Sequence, residues 1–262
     1  MSARAFIVTG ACGYVGAATA RALAGAGHEV VTLSLFETNI PGVALNKSGD
    51  LAEPDTLGGL NAPPDATVIH AAALMNTTDT NELWHANVEA TRQLLEWSAM
   101  NRARRVVFLS TGGVYGYAKA VYHTETSPLD PVGFYGHTKR IGEQLCEAFA
   151  SVSGFDATSL RLFFPFGPGQ QRGVFSFIDR AVREGLSITI NPGGAPRMNP
   201  IHIDDLVALI TRAADPEAPP GVYNAAGPED ISFLEAVRLF EKAHGKQAVI
   251  AGEGSDEVLD ML

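Results

Sequence analysis

"IVTGACGYVGAATARAL", residues 7–23, joins a run of β-forming apolar residues directly to a helical pattern of small ones. Gly10, Gly13 and Gly16 punctuate the join. Each has a physical use there. Gly10 permits a tight turn, Gly13 lets backbone approach a pyrophosphate, and Gly16 allows close packing of helix on strand. The N–H groups of the helix start are then free to meet phosphate. Glycines in series also occur in purely structural turns, so position matters. These follow the first strand of the chain, which predicts a dinucleotide-binding βα unit.

The rest of the chain continues the alternation. "HEVVTLSL" (28–35), "ATVIHAAA" (66–73), "RRVVFLST" (104–111) and "ATSLRLFF" (157–164) read as buried strands. Between them, helical periodicity marks 14–26, 82–100 (Leu83, Val88, Leu94, Leu95, Trp97) and 136–150, where Ile141, Leu145 and Phe149 form one stripe. Such alternation predicts an α/β fold, a Rossmann-type doubly wound parallel sheet covered on both faces. After Phe164 the texture changes to Pro/Gly-rich loops (165–173, 191–200, 218–221) between helical patterns at 174–185, 204–214 and 232–243 and short strands at 187–190 and 221–224. The expected organisation is a dinucleotide-binding core over 1–164 and a smaller substrate-binding region over 165–262, interleaved with the core as one compact unit.

Composition excludes several classes. The 262 residues are 46% hydrophobic and 18% charged, enough for a sizeable core. A net charge of −10 without a Lys/Arg run argues against nucleic acid and against anionic membrane surfaces. Cys12 and Cys146 lack C-x-x-C spacing, which suits a reducing compartment. Residues 1–10 lack a signal-peptide pattern, and no stretch reaches the ~18–20 apolar residues of a membrane span. A soluble, cytoplasmic protein is expected. There is no H-E-x-x-H or similar cluster, so no metal is expected, and neither a G-x-S-x-G elbow nor a P-loop is present.

Chemistry enters with "FYGHTKRIGEQL" (134–145). On a helix, Tyr135 and Lys139 share a face one turn apart. A neighbouring ammonium favours phenolate, and moving a tyrosine from ~10 to near 7 takes roughly 4 kcal/mol. Lys139 and the positive ring of an oxidised dinucleotide would supply it, making Tyr135 a general acid/base. Thr111 ends the strand 104–111, on the edge where ligands bind in open α/β sheets. At the end of the second strand Ser34 stands where a ribose-binding acid is usual, with no Arg beside it. That leans toward NAD, while NADP stays open because Ser34 would not repel a 2′-phosphate. Glu37 reads as a solvated loop residue.

Taken in order, "TGACGYVG" (9–16), "GDL" (49–51), "HAAA" (70–73), "NVEAT" (87–91), "STGGVYG" (110–116), "YGHTK" (135–139), "RLFFPFGPG" (161–169) and "PIHIDDL" (200–206) resemble the extended short-chain dehydrogenase/reductases, the NAD-dependent epimerase/dehydratase family. The resemblance implies Thr111, Tyr135 and Lys139 as catalytic residues. It implies cofactor contacts from Gly10, Gly13, Tyr14, Val15, Gly16, Ser34, Asp50, Leu51, Ala71, Ala72, Ala73, Tyr135, Lys139 and Phe163, and substrate contacts from Thr111, Gly112, Phe164 and Arg197. Asn87 would tie strand and helix together. The cofactor implied is NAD and the partner a small-molecule substrate, a nucleotide-linked sugar. Two departures matter. Phe164 replaces the usual Asn of the "RxxN" segment, and Arg197 lacks the usual aromatic after it, so a surface role weighs against an anionic contact. The chain also ends some tens of residues earlier than is common in the family, so part of the usual substrate lid is expected to be absent. A net ketone reductase on a smaller substrate and a non-catalytic dinucleotide-binding regulator are the alternatives. The stripe Ile141, Leu145, Phe149 reads either as core or as a homodimer face. His137 is expected in solvent. His70 and His202 are expected to make structural hydrogen bonds, Cys12 to fill the turn and Cys146 to pack its helix.

Overall fold

Runs of buried β-branched residues form the inner strands of one sheet. The structure is a computed structural model, and it describes residues 3–60, 63–116, 122–191 and 194–253. Strands β1 (Ala5–Thr9), β2 (Glu29–Ser34), β3 (Leu45–Ser48), β4 (Thr67–His70), β5 (Arg105–Thr111) and β6 (Asp156–Leu162) are joined by Gly221–Ala225. Their spatial order is Gly221–Ala225, β6, β5, β4, β1, β2, β3, with every pair parallel. The order reverses direction at β1, which lies between β2 and β4. A crevice opens at such a switch point, beyond the strands' C-terminal ends. Register places Thr9 beside both Leu33 and His70, and His70 beside Phe108. β5 then runs on to Thr111, past the end of β4 and paired only with β6. Thr111 is therefore carried beyond the level at which β1 and β4 stop.

The helices are α1 (Tyr14–Gly25), α2 (Pro54–Gly58), α3 (Thr80–Trp84), α4 (Ala90–Met100) and α5 (Gly133–Ser153). Three details differ from the sequence reading. The helix expected at 82–100 begins at Thr80 and is interrupted by a wider π turn at His85–Glu89. β6 stops at Leu162, and Phe164 adopts a left-handed backbone with φ 45°. β3 was not foreseen, because its sequence "LNKS" is polar and it lies at a sheet edge with no buried face. α5 ends where Gly154 takes φ 77°, a left-handed C-cap.

Two compact units result. The first comprises Met1–Leu162 and Asp204–Ala225; the second comprises Phe163–Ile203 and Ala226–Leu262. The chain thus returns to the first unit through the helix Ile203–Ala213 and the strand that follows. In the first unit, Leu33, Val68, Leu94, Val106 and Phe108 are core residues, with Cys146 packed among them. The second has its own core around Ile178, Val182, Ile188, Phe233 and Val237. There the helices Val174–Glu184 and Phe233–His244 accompany short strand pairs, such as Ser187–Ile190 with Val249–Glu253. No helix among the described residues is long and apolar enough to cross a membrane.

Candidate active site

The glycine turn is built so tightly that side chains do not fit. Gly10 has φ 70°, and a Cβ there would lie 2.5 Å from the Ala72 nitrogen. One at Gly16 would lie 2.4 Å from the Gly10 carbonyl oxygen, which itself accepts the Gly13 N–H at 2.9 Å. β1, α1 and the segment after β4 therefore approach one another backbone to backbone. Gly13 precedes α1, whose first turn has neither a capping side chain nor an acidic residue. Its donors and dipole fit a dinucleotide phosphate. Tyr14 and Val15 are half-buried. The Tyr14 hydroxyl is buried with no hydrogen-bond partner among the described residues; its pKa is raised by burial and by the Asp204 charge.

Around this turn the other expected cofactor residues take separate places. Ser34 is buried, and its hydroxyl accepts the Cys12 N–H at 3.0 Å, tying β2 to the turn. Asp50 accepts the Ala52 N–H at 2.9 Å and pairs with His85 Nε2 at 2.9 Å. Leu51 is buried in the core of the first unit. Ala71 and Ala72 are half-buried and Ala73 is exposed in the segment after β4. Cys12 is exposed and Glu37 lies in solvent.

Glycines also explain how α5 reaches the sheet edge. A Cβ at Gly136 would be 3.3 Å from the Gly113 carbonyl oxygen, and one at Gly142 would be 2.4 Å from Phe108 Cζ. α5 is thereby drawn against β5 and against the 3₁₀ turn Gly112–Tyr115, which Thr111 caps by accepting the Gly113 N–H at 3.1 Å. Lys139 is buried and its ammonium sits 4.1 Å from the centroid of the Phe108 ring, a cation–π contact. His137 is exposed, as expected. The electrostatics differ from the sequence reading. Burial pushes the Tyr135 hydroxyl up to about 12, where a lowered value was expected. Burial also brings Lys139 down to about 8, with Cys146 and Glu143 opposing. In the protein alone, desolvation is what raises the tyrosine.

An ion-pair network missed in the sequence underlies this edge. Glu143, one turn after Lys139, accepts from Arg161 Nε at 2.9 Å and Nη2 at 2.8 Å, from Ser110 at 2.6 Å, and from Arg140 at 3.0 Å. Arg161 also donates to Tyr115 Oη at 2.8 Å, and Tyr115 donates to Asn224 at 2.7 Å. A charged residue inside the apolar strand "SLRLF" was the available signal, because a buried arginine demands a carboxylate. Asn87 does tie elements together. Its amide bonds both backbone groups of Leu74 and the Thr138 hydroxyl of α5.

In the second unit, Phe163 is half-buried and Phe164 packs against that unit's core. Arg197 is 57% exposed, and its Nε meets the Asp230 carboxylate at 2.9 and 3.0 Å. Among the described residues, no group of three or more His, Cys, Asp or Glu is arranged to hold a metal.

A parallel sheet with a glycine-rich βα turn, and a Tyr–Lys helix at its C-terminal edge, defines a dinucleotide-dependent enzyme of the short-chain dehydrogenase type. The model of the NAD dependent epimerase/dehydratase family matches residues 6–226, and the chain belongs to that family. The chain is similar to UDP-glucose 4-epimerase 4 of Oryza sativa subsp. japonica, with 28% identity over 288 residues, covering 94% of this chain and 78% of that protein. Among solved structures it is similar to MoeE5 in complex with UDP-glucose and NAD, with 28% identity and a TM-score of 0.84. That match covers 96% of this chain and 85% of the other. UDP-glucuronic acid 4-epimerase from Bacillus cereus, in complex with UDP-glucuronic acid and NAD, gives 26% identity, a TM-score of 0.83, and coverage of 96% and 86%.

Proposed function

We propose that this protein is an NAD-dependent epimerase acting at a hydroxyl-bearing carbon of a UDP-linked hexose. One observation carries the reading. Thr111 and the Tyr135–Lys139 helix meet at the sheet's C-terminal edge, where Gly136 packs on the turn that Thr111 caps. The UDP-sugar names of the similar epimerases and of the MoeE5 complex support the substrate class. The cradle for NAD is Gly10, Gly13, Tyr14, Val15 and Gly16, flanked by Ser34, Asp50, Leu51 and Ala71–Ala73, with Phe163 following β6. When bound, NAD would supply reversible hydride acceptance at the carbinol carbon, with redelivery to the opposite face of the ketone. Tyr135 Oη takes the hydroxyl proton as the ketone forms and gives it back on return. Thr111 Oγ1 holds the reacting oxygen, with Gly112 beside it. Lys139 supplies positive charge that offsets the burial raising Tyr135.

The protein acts in the cytoplasm, where two free cysteines, one of them exposed, stay reduced. It forms a homodimer through α5, whose Leu145 and Phe149 only partly pack on the core while Val152 is 82% exposed. Light scattering should return twice the 27.7 kDa chain mass.

The decisive experiment incubates the purified protein with UDP-galactose and NAD and follows the anomeric proton by NMR. Conversion to UDP-glucose without net NADH is the expected result. Reduction of small ketones with consumption of NADH, and no conversion of UDP-galactose, would promote the second reading, a reductase on a smaller substrate. What favours that reading is the commitment of Arg197 to Asp230 and of Phe164 to a packed core.

A further inference from the structure

A set of buried polar groups that the proton chemistry does not use runs through His70, the last residue of β4. The residue is 1% exposed, yet both ring nitrogens are bonded, Nδ1 to Thr9 Oγ1 at 2.7 Å and Nε2 to Thr91 Oγ1 at 2.9 Å. The far ends of these bonds fix their direction. Thr91 Oγ1 gives its hydrogen to the Asn87 carbonyl, which can only accept. Thr91 must therefore accept from His70, and Nε2 carries the ring proton. Nδ1 is then an acceptor, filled by the Thr9 hydroxyl, while Thr9 Oγ1 accepts the Ala72 N–H at 3.3 Å.

Beyond Asn87 the order continues. Its side-chain amide donates to the Leu74 carbonyl at 2.8 Å and to Thr138 Oγ1 at 3.1 Å, and its side-chain oxygen accepts the Leu74 N–H at 2.7 Å. Thr138 donates to the Tyr135 carbonyl at 2.8 Å. The run begins at Ala72, against whose backbone Gly10 is packed, and ends on the α5 turn that carries Tyr135 and Lys139.

We propose that His70 is a positioning residue for the redox site: as the neutral Nε2–H tautomer it is the central link that holds the glycine turn, the 71–74 segment and the start of α5 in one register. The inference rests on the roles proposed for Tyr135 and Lys139. Charge on the ring would break the link, because a protonated Nδ1 would confront a hydroxyl already donating toward it. It would also face the Lys139 ammonium across Phe108, whose ring centroid is 5.6 Å from that of His70. Burial and then Lys139 hold the imidazole at about 3, so the neutral form persists.

Two measurements test this, the first on the NAD-loaded enzyme. Ring ¹⁵N NMR should show a protonated Nε2 and a bare Nδ1, unchanged from pH 5 to 9. A protonated Nδ1, or titration within that range, overturns the proposal whatever the substrate proves to be. Thr91→Val keeps the shape and removes the hydroxyl, whereas Thr91→Ser keeps the hydroxyl. At a temperature where all variants are folded, Thr91→Val should lower kcat on UDP-galactose, or weaken NAD binding by calorimetry, about tenfold, the scale of an orphaned buried donor. Thr91→Ser should restore both. Equal values for Val and Ser in both readouts would mean that the threonine only fills space, and the proposal would fall. Absence of turnover by the parent sinks the UDP-hexose reading alone, since the tautomer and the NAD affinity still decide the role of His70.

Discussion

At the scale of single residues, the roles proposed for Tyr135 and Lys139 differ, although the two share one helical turn. Tyr135→Phe should reduce turnover at least ~10²-fold, the usual contribution of a general acid–base group, and leave NAD affinity within a few-fold. Retention of more than about a tenth of parent activity would contradict the role. Lys139→Met should damage both turnover and NAD binding, and it carries a signed consequence for stability. The folded-state pKa of Lys139 is about 8 against 10.5 for the free group. Below about pH 8 both states bind the proton, so the folded protein carries the whole cost of a buried charge, up to roughly 3 kcal/mol. Between about 8 and 10.5 the unfolded chain binds more protons, and parent stability rises with pH. The cation–π contact with Phe108 returns at most about 2 kcal/mol, so desolvation wins. Urea titrations should therefore find Lys139→Met more stable than the parent at pH 7 by about 1 kcal/mol, the gap closing toward pH 10. A less stable variant at pH 7 would show that the ammonium is well solvated or paired. That Tyr135 and Lys139 sit one turn apart on a helix was legible from their spacing alone. The direction of the tyrosine shift was not, because burial is a property of the packed site. Ser34 gives a further test. Its hydroxyl oxygen accepts the Cys12 N–H, and it carries no charge to repel or attract a 2′-phosphate. Calorimetry should find NAD bound as tightly as NADP or modestly tighter. A tenfold preference for NADP would mean that a cation from elsewhere reaches the ribose.

At the scale of elements, the glycines of α5 matter because they let a helix lie directly on a strand. Gly142→Ala would gain up to about 1 kcal/mol of helix propensity. It would also push a methyl to 2.4 Å from Phe108 Cζ, and the 1%-exposed ring has little room to retreat. Overpacking of that kind costs about 1–3 kcal/mol and outweighs the propensity gain. Gly142→Ala should therefore lower the thermal midpoint, and moving the ring under Lys139 should lower turnover as well. A raised midpoint with full activity would show that Phe108 relaxes freely. Most strands could be read from the sequence because β1, β2, β4 and β5 each bury a continuous run, whereas α5 buries Lys139, Gly142, Glu143 and Cys146 and leaves the expected stripe Ile141, Leu145, Phe149 half-buried. The polar edge strand β3 carries no such run. The π turn at His85–Glu89 was hidden because Asn87 is satisfied by Leu74 and Thr138, which only the fold brings to it. β6 ended early for a local reason. Phe164 turns into left-handed backbone, a conformation an asparagine takes more readily than a phenylalanine, so the departure in residue type concealed a turn.

At the scale of the whole molecule, the open question is how a diphosphate is held, because an acidic chain with net charge −10 offers it few cations. Within the second unit, Arg183 is paired with Asp179 and Glu184, and Arg197 with Asp230. A guanidinium already facing a carboxylate presents little net field to an anion and must lose part of that pairing to rebind. Arg172 is exposed and has no ion-pair partner among the described residues, so it keeps its full charge. Burying a diphosphate without paired donors would cost several kcal/mol, so some cation must contribute if UDP-hexoses are the substrates. Arg172→Ala should therefore raise KM for UDP-galactose more than Arg197→Ala does, by about tenfold against about threefold, with kcat nearly unchanged in both. These values correspond to ~1.4 and ~0.7 kcal/mol of uniform binding. UDP-, dTDP- and GDP-hexoses should be screened beside simple hydroxy and keto compounds with both variants. A larger effect of Arg197 would show that Asp230 releases it on binding. Efficient turnover of small ketones only, indifferent to both arginines, would remove the diphosphate from the substrate and leave a reductase built on the same Tyr135–Lys139 edge.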